Sequence, residues 1–553
     1  MRFPAHAILT PHTGAEITRG EKSMNGVVVA PQPRAAEVGA EILRSGGNAF
    51  DAAVAAAFVQ AATDPFMCGI GGVGVAQIFD AASGENLVLD FVGRVGSRAR
   101  ADQWTKLARR TAEGKTYVEG WHNYLGYQAI LIPGTAAGLA AIHARGRMPW
   151  RDLVQPAIRI LREGFPLYQY ITEYFFETHQ YPVGENYPTF DAYVHATDAM
   201  ARLWLRDDGA VRRVGDHLTN PDYAAVLECI ADEGADTFYR GTIAARMMAD
   251  FTAHDALITA ADLAACTAIV RAPVQTDYRG VTVSTSPLGG ATVLQILNIL
   301  EGYPVADYGH NSAEYLHLLA SAMQLAFSER DQMSGEGDES ALNELVSKQH
   351  AAELRARING ASIPSTEAAA VPGTTHLSVA DRDGNAVAVT HTLSMGSGVV
   401  TPGLGFQYNN GMCTFDPLPG KPRSIAPGKP RVTPMAPTIV FRDGRPEIIL
   451  GSPGSNAIVN AIAQVIVNRL DFGMTPLAAV SAPRIHCEGG PILTETRLPV
   501  ATGRALEARG HRLKPRPFAY DSLQGRIQLI VAEHGDWIGA SDPRRDGGAA
   551  MYA

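Results

Sequence analysis

A hairpin pattern two-thirds of the way along this 553-residue chain constrains its fold more than any other feature. Small and β-branched residues fill 374–379 and 386–393, and a polar stretch containing Asp383-Gly384 separates the two runs. An Asp-Gly pair supplies the positive φ angles that tight β-turns require. The sequence therefore predicts two antiparallel strands joined by a two- or three-residue loop, with paired residue numbers that sum to about 766 or 767.

This register brings two hydroxyl groups together at the open end of the hairpin, where Thr374 faces Thr392 or its immediate neighbour. A Thr hydroxyl is a poor nucleophile unless a base stands beside it, and the freed α-amino group of an N-terminal Thr, with a pKa near ~8, is such a base. The flexible Gly373 precedes Thr374 and suits a scissile bond. We therefore expect self-cleavage at Gly373–Thr374; on the hairpin alone, an ordinary Thr-rich strand pair is the alternative.

The hairpin and five other segments resemble, in the same order, the γ-glutamyltransferase family of N-terminal-nucleophile hydrolases. The five segments are 45–54, 69–74, 287–298, 451–455 and 539–544. The resemblance implies an α/β (α+β) fold, a four-layer αββα sandwich. It also implies that fragment 1–373, the large (α) subunit, and fragment 374–553, the small (β) subunit, stay associated in one intertwined domain after cleavage.

A second chemical element is the Gly-rich turn 451–455, between an apolar strand and a helix that begins near Asn456. Backbone N–H groups at such a turn and at a helix N-terminus favour negative charge. The resemblance implies that the N–H groups of Gly454 and Ser455 form an oxyanion hole beside the catalytic Thr374 and Thr392. The family usually has a second glycine in place of Ser455, a change that keeps the donor. The alternative is a plain turn with a Ser cap.

The expected substrate pocket departs from the family. True γ-glutamyl enzymes carry an Arg immediately after Asp-Phe to hold the α-carboxylate of glutamate, whereas Val92 follows Asp90-Phe91 here and the nearest guanidinium is Arg94. The other substrate-binding positions carry uncharged residues, which are Ser394, Gly411, Thr414 and Thr433. A buried ammonium without a carboxylate partner is costly. We therefore expect an acyl group without the α-amino group of glutamate, with Arg94 as a displaced carboxylate anchor.

The proline-rich segment 416–431 is shorter than the substrate-covering loop of bacterial transpeptidases in this family. A shorter loop predicts an open site in which water competes as acyl acceptor, so hydrolysis is favoured over transfer. The sequence thus predicts a self-processing amidohydrolase that cleaves a small carboxylate-bearing amide through a Thr acyl-enzyme. Two alternatives stay open: a true γ-glutamyltransferase or glutathione hydrolase with a rebuilt pocket, and a non-enzymatic, unprocessed scaffold.

The bulk composition bears on partners and location. A net charge of −9, a pI near 6.0 and the lack of a basic run argue against nucleic acid as a partner. The five cysteines are scattered and form no Cys-x-x-Cys pair, so neither a disulfide framework, a metal site nor a cofactor is expected. No apolar run of signal-peptide or transmembrane length is visible, which predicts a cytoplasmic protein without a membrane partner. The expected partner is a small-molecule amide substrate.

Hydrophobic patterning gives a mixed α and β reading of the chain. It predicts a mainly helical region over 151–326 and mainly strands from Thr374 onward. The individual predictions are helices at 35–43, 49–60 and 457–470, and strands at 73–79 and 87–91. The segment 333–371, rich in Ser, Glu, Gly, Ala and Pro, is expected to become a mobile tail once the chain is cut.

Overall fold

The computed structural model describes residues 26–110, 116–172, 188–330, 339–358, 373–546 and 549–552. Its strands, in chain order, are β1 Val27–Ala30, β2 Val73–Asp80, β3 Glu85–Phe91, β4 Ala108–Arg110, β5 Thr116–Val118, β6 Phe165–Pro166, β7 His217–Leu218, β8 Ile269–Arg271, β9 Val274–Tyr278, β10 Val281–Thr285, β11 Thr375–Ala380, β12 Ala386–Thr392, β13 Thr438–Arg442, β14 Arg445–Gly451, β15 Ile485–His486, β16 Ile492–Thr494, β17 Leu513–Pro515, β18 Gln528–Glu533, β19 Asp536–Ser541 and β20 Ala549–Tyr552.

The helices are α1 Pro33–Arg44, α2 Ala49–Thr63, α3 Thr135–His143, α4 Trp150–Glu163, α5 Gln169–Thr172, α6 Phe190–Val194, α7 Asp198–Trp204, α8 Pro221–Glu233, α9 Thr237–Arg240, α10 Thr242–Ala253, α11 Ala260–Ala264, α12 Ala291–Glu301, α13 Ala313–Arg330, α14 Glu339–Leu345, α15 Lys348–Ala356, α16 Ala457–Leu470, α17 Pro476–Ser481 and α18 Val500–Ala508. Among these residues, no helix is both long enough and apolar enough to span a lipid bilayer. Of the segment expected to become a mobile tail, 333–338 and 359–371 lie outside the described residues.

Two antiparallel sheets form the centre of the molecule. The first has seven strands in the order β20-β1-β11-β12-β2-β3-β8, and the second has six in the order β19-β18-β14-β13-β10-β9. Apolar side chains of both sheets meet between them, among them Val29 and Phe79 from the first and Ile449 and Trp537 from the second. Because each sheet buries one face against the other, its opposite face must be covered by helices.

Helices cover both outer faces. Helices α1 to α4 and α8 pack on the seven-stranded sheet in one continuous apolar core, and α12, α13 and α16 pack on the six-stranded sheet in a second. This arrangement is the four-layer αββα sandwich implied by the resemblance, and the predicted fold class is confirmed. The predicted strands and helices occur at their expected places, with α16 at the predicted bounds 457–470.

The region 151–326 is mainly helical, as predicted, but it also contains strands. Besides the short β6, β7 and β8, these are β9 and β10, which form one edge of the six-stranded sheet. In β9 only alternate residues are buried, the pattern of a strand with one covered face. The two strands are five residues each, and a strand this short carries little periodic signal within a helical region.

Helix α2 packs against the β11–β12 hairpin, and its sequence explains both where it starts and why it is buried. The Asn48 side chain accepts hydrogen bonds from the N–H groups of Phe50 and Asp51, and the Asp51 carboxylate accepts one from the N–H of Asn48. This reciprocal cap satisfies donors at the helix end. Every residue of α2 is buried, so the helix is fixed as a platform under β11.

Candidate active site

The hairpin register matches the three-residue-loop alternative of the prediction. Thr375 pairs with His391 and Ala380 with Ala386, so paired numbers sum to about 766. The hairpin lies inside the seven-stranded sheet, with β1 on one side of β11 and β2 on the other side of β12. Its open end is therefore held between paired strands, where rotation of the terminal residues is restricted.

Two hydroxyl groups converge on the carbonyl oxygen of Gly373. Thr374 Oγ1 lies 3.1 Å from Thr392 Oγ1 and 2.5 Å from the Gly373 oxygen, and Thr392 Oγ1 donates a hydrogen bond to that same oxygen. The Thr392 hydroxyl also accepts a hydrogen bond from the N–H of Ser394 at 2.7 Å. Both threonines are buried. The two threonine hydroxyls thus flank one peptide bond, and Thr374 faces Thr392 as the register predicted.

Only glycine fits at position 373. A Cβ on Gly373 would lie 1.1 Å from the carbonyl oxygen of Ser394, far inside van der Waals contact. Ser394 itself has a φ of 60°, in the left-handed region that non-glycine residues rarely adopt. The Gly373–Thr374 peptide bond is therefore in close contact with the backbone of Ser394, just after Thr392.

A buried polar network holds the first residues of β11 from below. Arg545 Nη1 lies 3.3 Å from both the carbonyl oxygen of Thr374 and the hydroxyl of Thr375. Its guanidinium pairs with the Asp64 carboxylate, and Gln32 donates both to Asp64 and, at 3.1 Å, to Thr375 Oγ1. Burial lowers the pKa of Arg545 to about 10. Sequence reasoning missed this network, although Arg545 directly follows the recognised segment 539–544.

The two hairpin histidines are buried and bound to neighbouring polar side chains. His376 Nδ1 lies 2.8 Å from Thr390 Oγ1 and its Nε2 lies 3.1 Å from Ser378 Oγ. His391 Nε2 lies 2.9 Å from the side-chain oxygen of Gln60. Burial lowers the pKa of each imidazole to about 3, so both are neutral near pH 7. Among the described residues, neither imidazole forms a hydrogen bond with Thr374.

The Gly-rich turn passes over the hairpin. A Cβ on Gly451, the last residue of β14, would lie 2.2 Å from the ring of His376, which is two residues from Thr374. In the described part of the chain, the N–H groups of Gly454 and Ser455 donate no hydrogen bond. Their φ angles are 133° and 53°. Two free N–H groups ahead of the 14-residue α16 form a favourable place for an oxyanion.

Three of the predicted substrate residues lie around the chain that follows Thr392. The Ser394 hydroxyl accepts a hydrogen bond from Arg431 Nη1 at 2.8 Å. Gly411 and Thr414 bound a short 3₁₀ turn, closed by the Thr414 hydroxyl, which donates to the Gly411 carbonyl at 2.8 Å. Asn410 ties this turn to the end of β12, since its N–H donates to the carbonyl of Leu393.

The other two candidates make different contacts. Thr433 is buried, and its hydroxyl accepts from the N–H of Met435 at 3.2 Å. Arg94 donates to the carbonyl of Gly428 at 3.1 Å and lines a cavity of about 250 Å³ with Val92 and other residues. Thr374 does not line this cavity. The role of Arg94 as a carboxylate anchor stays a prediction.

Comparison with known proteins identifies the family. The gamma-glutamyltranspeptidase family model matches residues 35–552. The chain belongs to this family. It is 35% identical to the acylase ACY 1 proenzyme of Pseudomonas sp. (strain SE83), over 94% of this chain and 92% of that one. It is 32% identical to the glutathione hydrolase proenzyme of Escherichia coli (strain K12), over 95% and 91% of the two chains.

Solved structures agree with this assignment. The cephalosporin acylase from Bacillus halodurans superposes with a TM-score of 0.84 at 27% identity, and 99% of each chain is covered. The gamma-glutamyltranspeptidase of Helicobacter pylori gives a TM-score of 0.52 at 27% identity, over 63% of this chain and 94% of that one. This gamma-glutamyltranspeptidase family member is therefore an enzyme of the amidohydrolase and transpeptidase type.

Proposed function

We propose that this family member is a self-processing amidohydrolase. It cuts itself at Gly373–Thr374 and then cleaves small amides whose acyl half carries a carboxylate but no γ-glutamyl amino group. The observation that carries the proposal is the convergence of the Thr374 and Thr392 hydroxyls on the carbonyl oxygen of Gly373. The acylase relative and the glutathione hydrolase relative are both named proenzymes, which supports a processed chain.

Self-cleavage follows from this geometry. Thr374 Oγ1 attacks the carbonyl carbon of Gly373, and the Thr392 hydroxyl donates to the oxygen on which negative charge develops. As the C–N bond breaks, the nitrogen of Thr374 takes up the hydroxyl proton and becomes a free amine. The resulting ester is hydrolysed by water, which leaves a Gly373 carboxylate and restores the Thr374 hydroxyl. The products are the large subunit 1–373 and the small subunit 374–553.

The same hydroxyl then serves the substrate. The free α-amino group of Thr374 accepts the Oγ1 proton as Oγ1 attacks the amide carbonyl. The N–H groups of Gly454 and Ser455 hold the resulting oxyanion, and the proton passes to the departing amine. Water hydrolyses the ester that joins the acyl group to Thr374, with the α-amino group again as base. The neutral, buried His376 and His391 take no part.

The substrate preference rests on what the pocket lacks. Val92, Ser394, Gly411 and Thr414 stand where γ-glutamyl enzymes hold the glutamate headgroup, and none carries a charge. A substrate ammonium would find no carboxylate partner at these positions, at a cost of roughly 1.5–3 kcal/mol for the lost charge-assisted hydrogen bond. The acylase relatives support a preference for acyl groups of another kind.

Paired chromogenic substrates test the proposal. Glutaryl-p-nitroanilide and γ-glutamyl-p-nitroanilide differ only by the α-amino group, and we expect a higher kcat/KM for the glutaryl compound. A clear preference for the γ-glutamyl compound would support the second candidate, a glutathione hydrolase or γ-glutamyltransferase with a rebuilt pocket, which the 32% identity to the E. coli enzyme favours. A single uncut chain without activity would support a scaffold instead.

A further inference from the structure

The guanidinium group of Arg431 is buried without a charged partner. Only 7% of the residue is exposed, and its Nε has no hydrogen-bond partner. Within the described residues, no carboxylate lies within ion-pair distance of it. By contrast, three other buried arginines pair with carboxylates: Arg484 with Asp542, Arg544 with Glu495 and Asp542, and Arg545 with Asp64.

Such a charge is costly for the folded protein. Burial lowers the pKa of Arg431, because desolvation disfavours the charged form. Arginine nevertheless stays protonated at neutral pH, since its ordinary pKa is far above 7. A buried cation without a carboxylate is destabilising, and a bound anion would remove that penalty. The group is therefore prepared for a negatively charged ligand.

The backbone places Arg431 next to the uncharged Val92. Segment 428–431 runs antiparallel to 93–95: the N–H of Val95 donates to the carbonyl of Lys429 at 3.0 Å, and the N–H of Arg431 donates to the carbonyl of Gly93. The positive charge that is absent from Val92 is thus supplied by the neighbouring segment of chain.

The side chain of Arg431 reaches toward the nucleophile. Its Nη1 donates to the Ser394 hydroxyl at 2.8 Å, and the N–H of Ser394 donates to Thr392 Oγ1 at 2.7 Å. Thr392 Oγ1 lies 3.1 Å from Thr374 Oγ1. One residue, Ser394, therefore contacts both the guanidinium and the Thr392 hydroxyl, which in turn contacts Thr374. Arg94, the anchor predicted from sequence, instead contacts the carbonyl of Gly428.

We propose that Arg431, together with the Ser394 hydroxyl, binds the terminal carboxylate of the substrate's acyl half. The substrates are then monoamides of dicarboxylic acids, and Arg431 determines specificity for them. This proposal rests on the amide cleavage proposed above. The planar guanidinium forms paired hydrogen bonds with a carboxylate, and Ser394 Oγ adds a third donor once it is released from Nη1.

The test compares glutaryl-p-nitroanilide with pentanoyl-p-nitroanilide, which have the same chain length and differ in the terminal carboxylate. The unaltered enzyme should prefer the glutaryl compound by roughly 10- to 100-fold in kcat/KM. Arg431→Met should remove this preference by lowering the rate on the glutaryl compound alone. Lys429→Met is the matched control, because Lys429 is a cation two residues away whose Nζ binds the carbonyls of Pro422 and Ser424; this variant should keep the preference.

A melting temperature separates specificity from structure. Since Arg431 is a buried charge without a partner, Arg431→Met should keep or raise the melting temperature while the glutaryl preference is lost. A variant that melts much lower and loses both substrates equally would show a structural arginine and overturn the proposal. If Arg431→Met does not fold, the unaltered enzyme still decides: glutarate must inhibit it more strongly than pentanoate does, and equal inhibition would overturn the proposal.

The two proposals fail in different ways. An enzyme that cleaves neither anilide and stays uncut at Gly373–Thr374 contradicts the proposed function itself. An active enzyme whose Arg431→Met variant still prefers the glutaryl compound contradicts only the role of Arg431. Arg526 is a further buried arginine without hydrogen-bonded side-chain nitrogens, stacked on the ring of Tyr170. Loss of the preference in Arg526→Met but not in Arg431→Met would also overturn the proposal.

Discussion

At the scale of single residues, the hydroxyl groups of Thr374 and Thr392 both bind the carbonyl oxygen of Gly373, but the two threonines have different proposed roles. Thr374 has the backbone nitrogen that would become an amine after the proposed cleavage, so it alone could be nucleophile and base together. Thr392 is buried within β12 and can only donate or accept hydrogen bonds. Substitution should therefore affect the two residues to different degrees.

We expect Thr374→Ala to block self-cleavage and to lower amide hydrolysis by roughly 10⁴-fold or more, because one hydroxyl serves both reactions. Intact-mass measurement should show a single chain of 553 residues in place of two fragments. Thr374→Ser is the matched control, since it keeps the hydroxyl and should still be cut. A cut, active Thr374→Ala protein would disprove the assignment.

Thr392→Ala should slow self-cleavage and turnover by about 10²-fold, the usual effect of losing one donor to a developing oxyanion. Thr392→Ser keeps the donor and should recover most of the rate. The time course of cleavage on a denaturing gel measures the first effect, and turnover per folded molecule measures the second. If the melting temperature falls while turnover stays the same, Thr392 is only a strand residue.

The pairing of Thr374 with Thr392 was predictable, but the polar network beneath it was not. Strand residues pair with a fixed register, so the loop position placed Thr374 opposite Thr392 or its immediate neighbour, and the structure selects Thr392. Asp64, Gln32 and Arg545 meet beneath Thr375 from three distant parts of the chain, and no local pattern brings them together. The hydrogen bond between Arg431 and Ser394 could not be predicted either. It depends on how segment 428–431 pairs with segment 93–95, which are far apart in the sequence.

At the scale of elements, the hairpin and the Gly-rich turn carry most of the chemistry. The hairpin holds its two histidines buried and neutral, and among the described residues the N–H groups of Gly454 and Ser455 in the turn have no hydrogen-bond acceptor. Each element has a consequence that can be measured without knowledge of the natural substrate.

The hairpin histidines should make the protein acid-sensitive. Their pKa in the folded state, about 3, lies below the ordinary value of 6.5, so the unfolded chain binds more protons between these limits. Stability should therefore fall as the pH drops below about 6.5, by roughly 2 kcal/mol per histidine at pH 5. Melting temperatures of the unaltered protein and of His391→Gln at pH 5, 6 and 7 test this. An equal pH dependence in both proteins would contradict it.

Gly454→Ala should lower activity by about 10- to 100-fold, because a φ of 133° is nearly inaccessible to alanine and the N–H must turn away from the oxyanion. Ser455→Gly is the opposite change in the same turn. It should keep activity and raise stability by up to ~1 kcal/mol, since Ser455 has a φ of 53°. Equal activity in the Gly454→Ala variant would exclude this N–H as a donor.

At the scale of the whole molecule, both sheets mix strands from the two sides of Gly373–Thr374. In the seven-stranded sheet, β1, β2, β3 and β8 precede the bond, and β11, β12 and β20 follow it. In the six-stranded sheet, β9 and β10 precede the bond, and β10 pairs with β13, which follows it. The layers were predictable from the resemblance, whereas this strand order was not, because pairing between distant segments leaves no local signal.

We expect the two fragments to stay together after cleavage. They should elute as one species in size-exclusion chromatography under native conditions and separate only in denaturant, because their contact is the interior of two sheets and the core between them. When produced separately, neither fragment should give a cooperative melt. Elution of the fragments at their individual masses without denaturant would contradict this expectation.

The mixed strand order also sets how the protein can recover from damage. Before the cut, every strand is tethered to its partners by the chain, and folding needs no encounter between molecules. Once the chain is cut at Gly373–Thr374, as proposed, the tether is gone and its high effective concentration is lost. The cut enzyme would then rely on slow unfolding for its lifetime, because reassembly would be a second-order reaction whose rate falls with dilution.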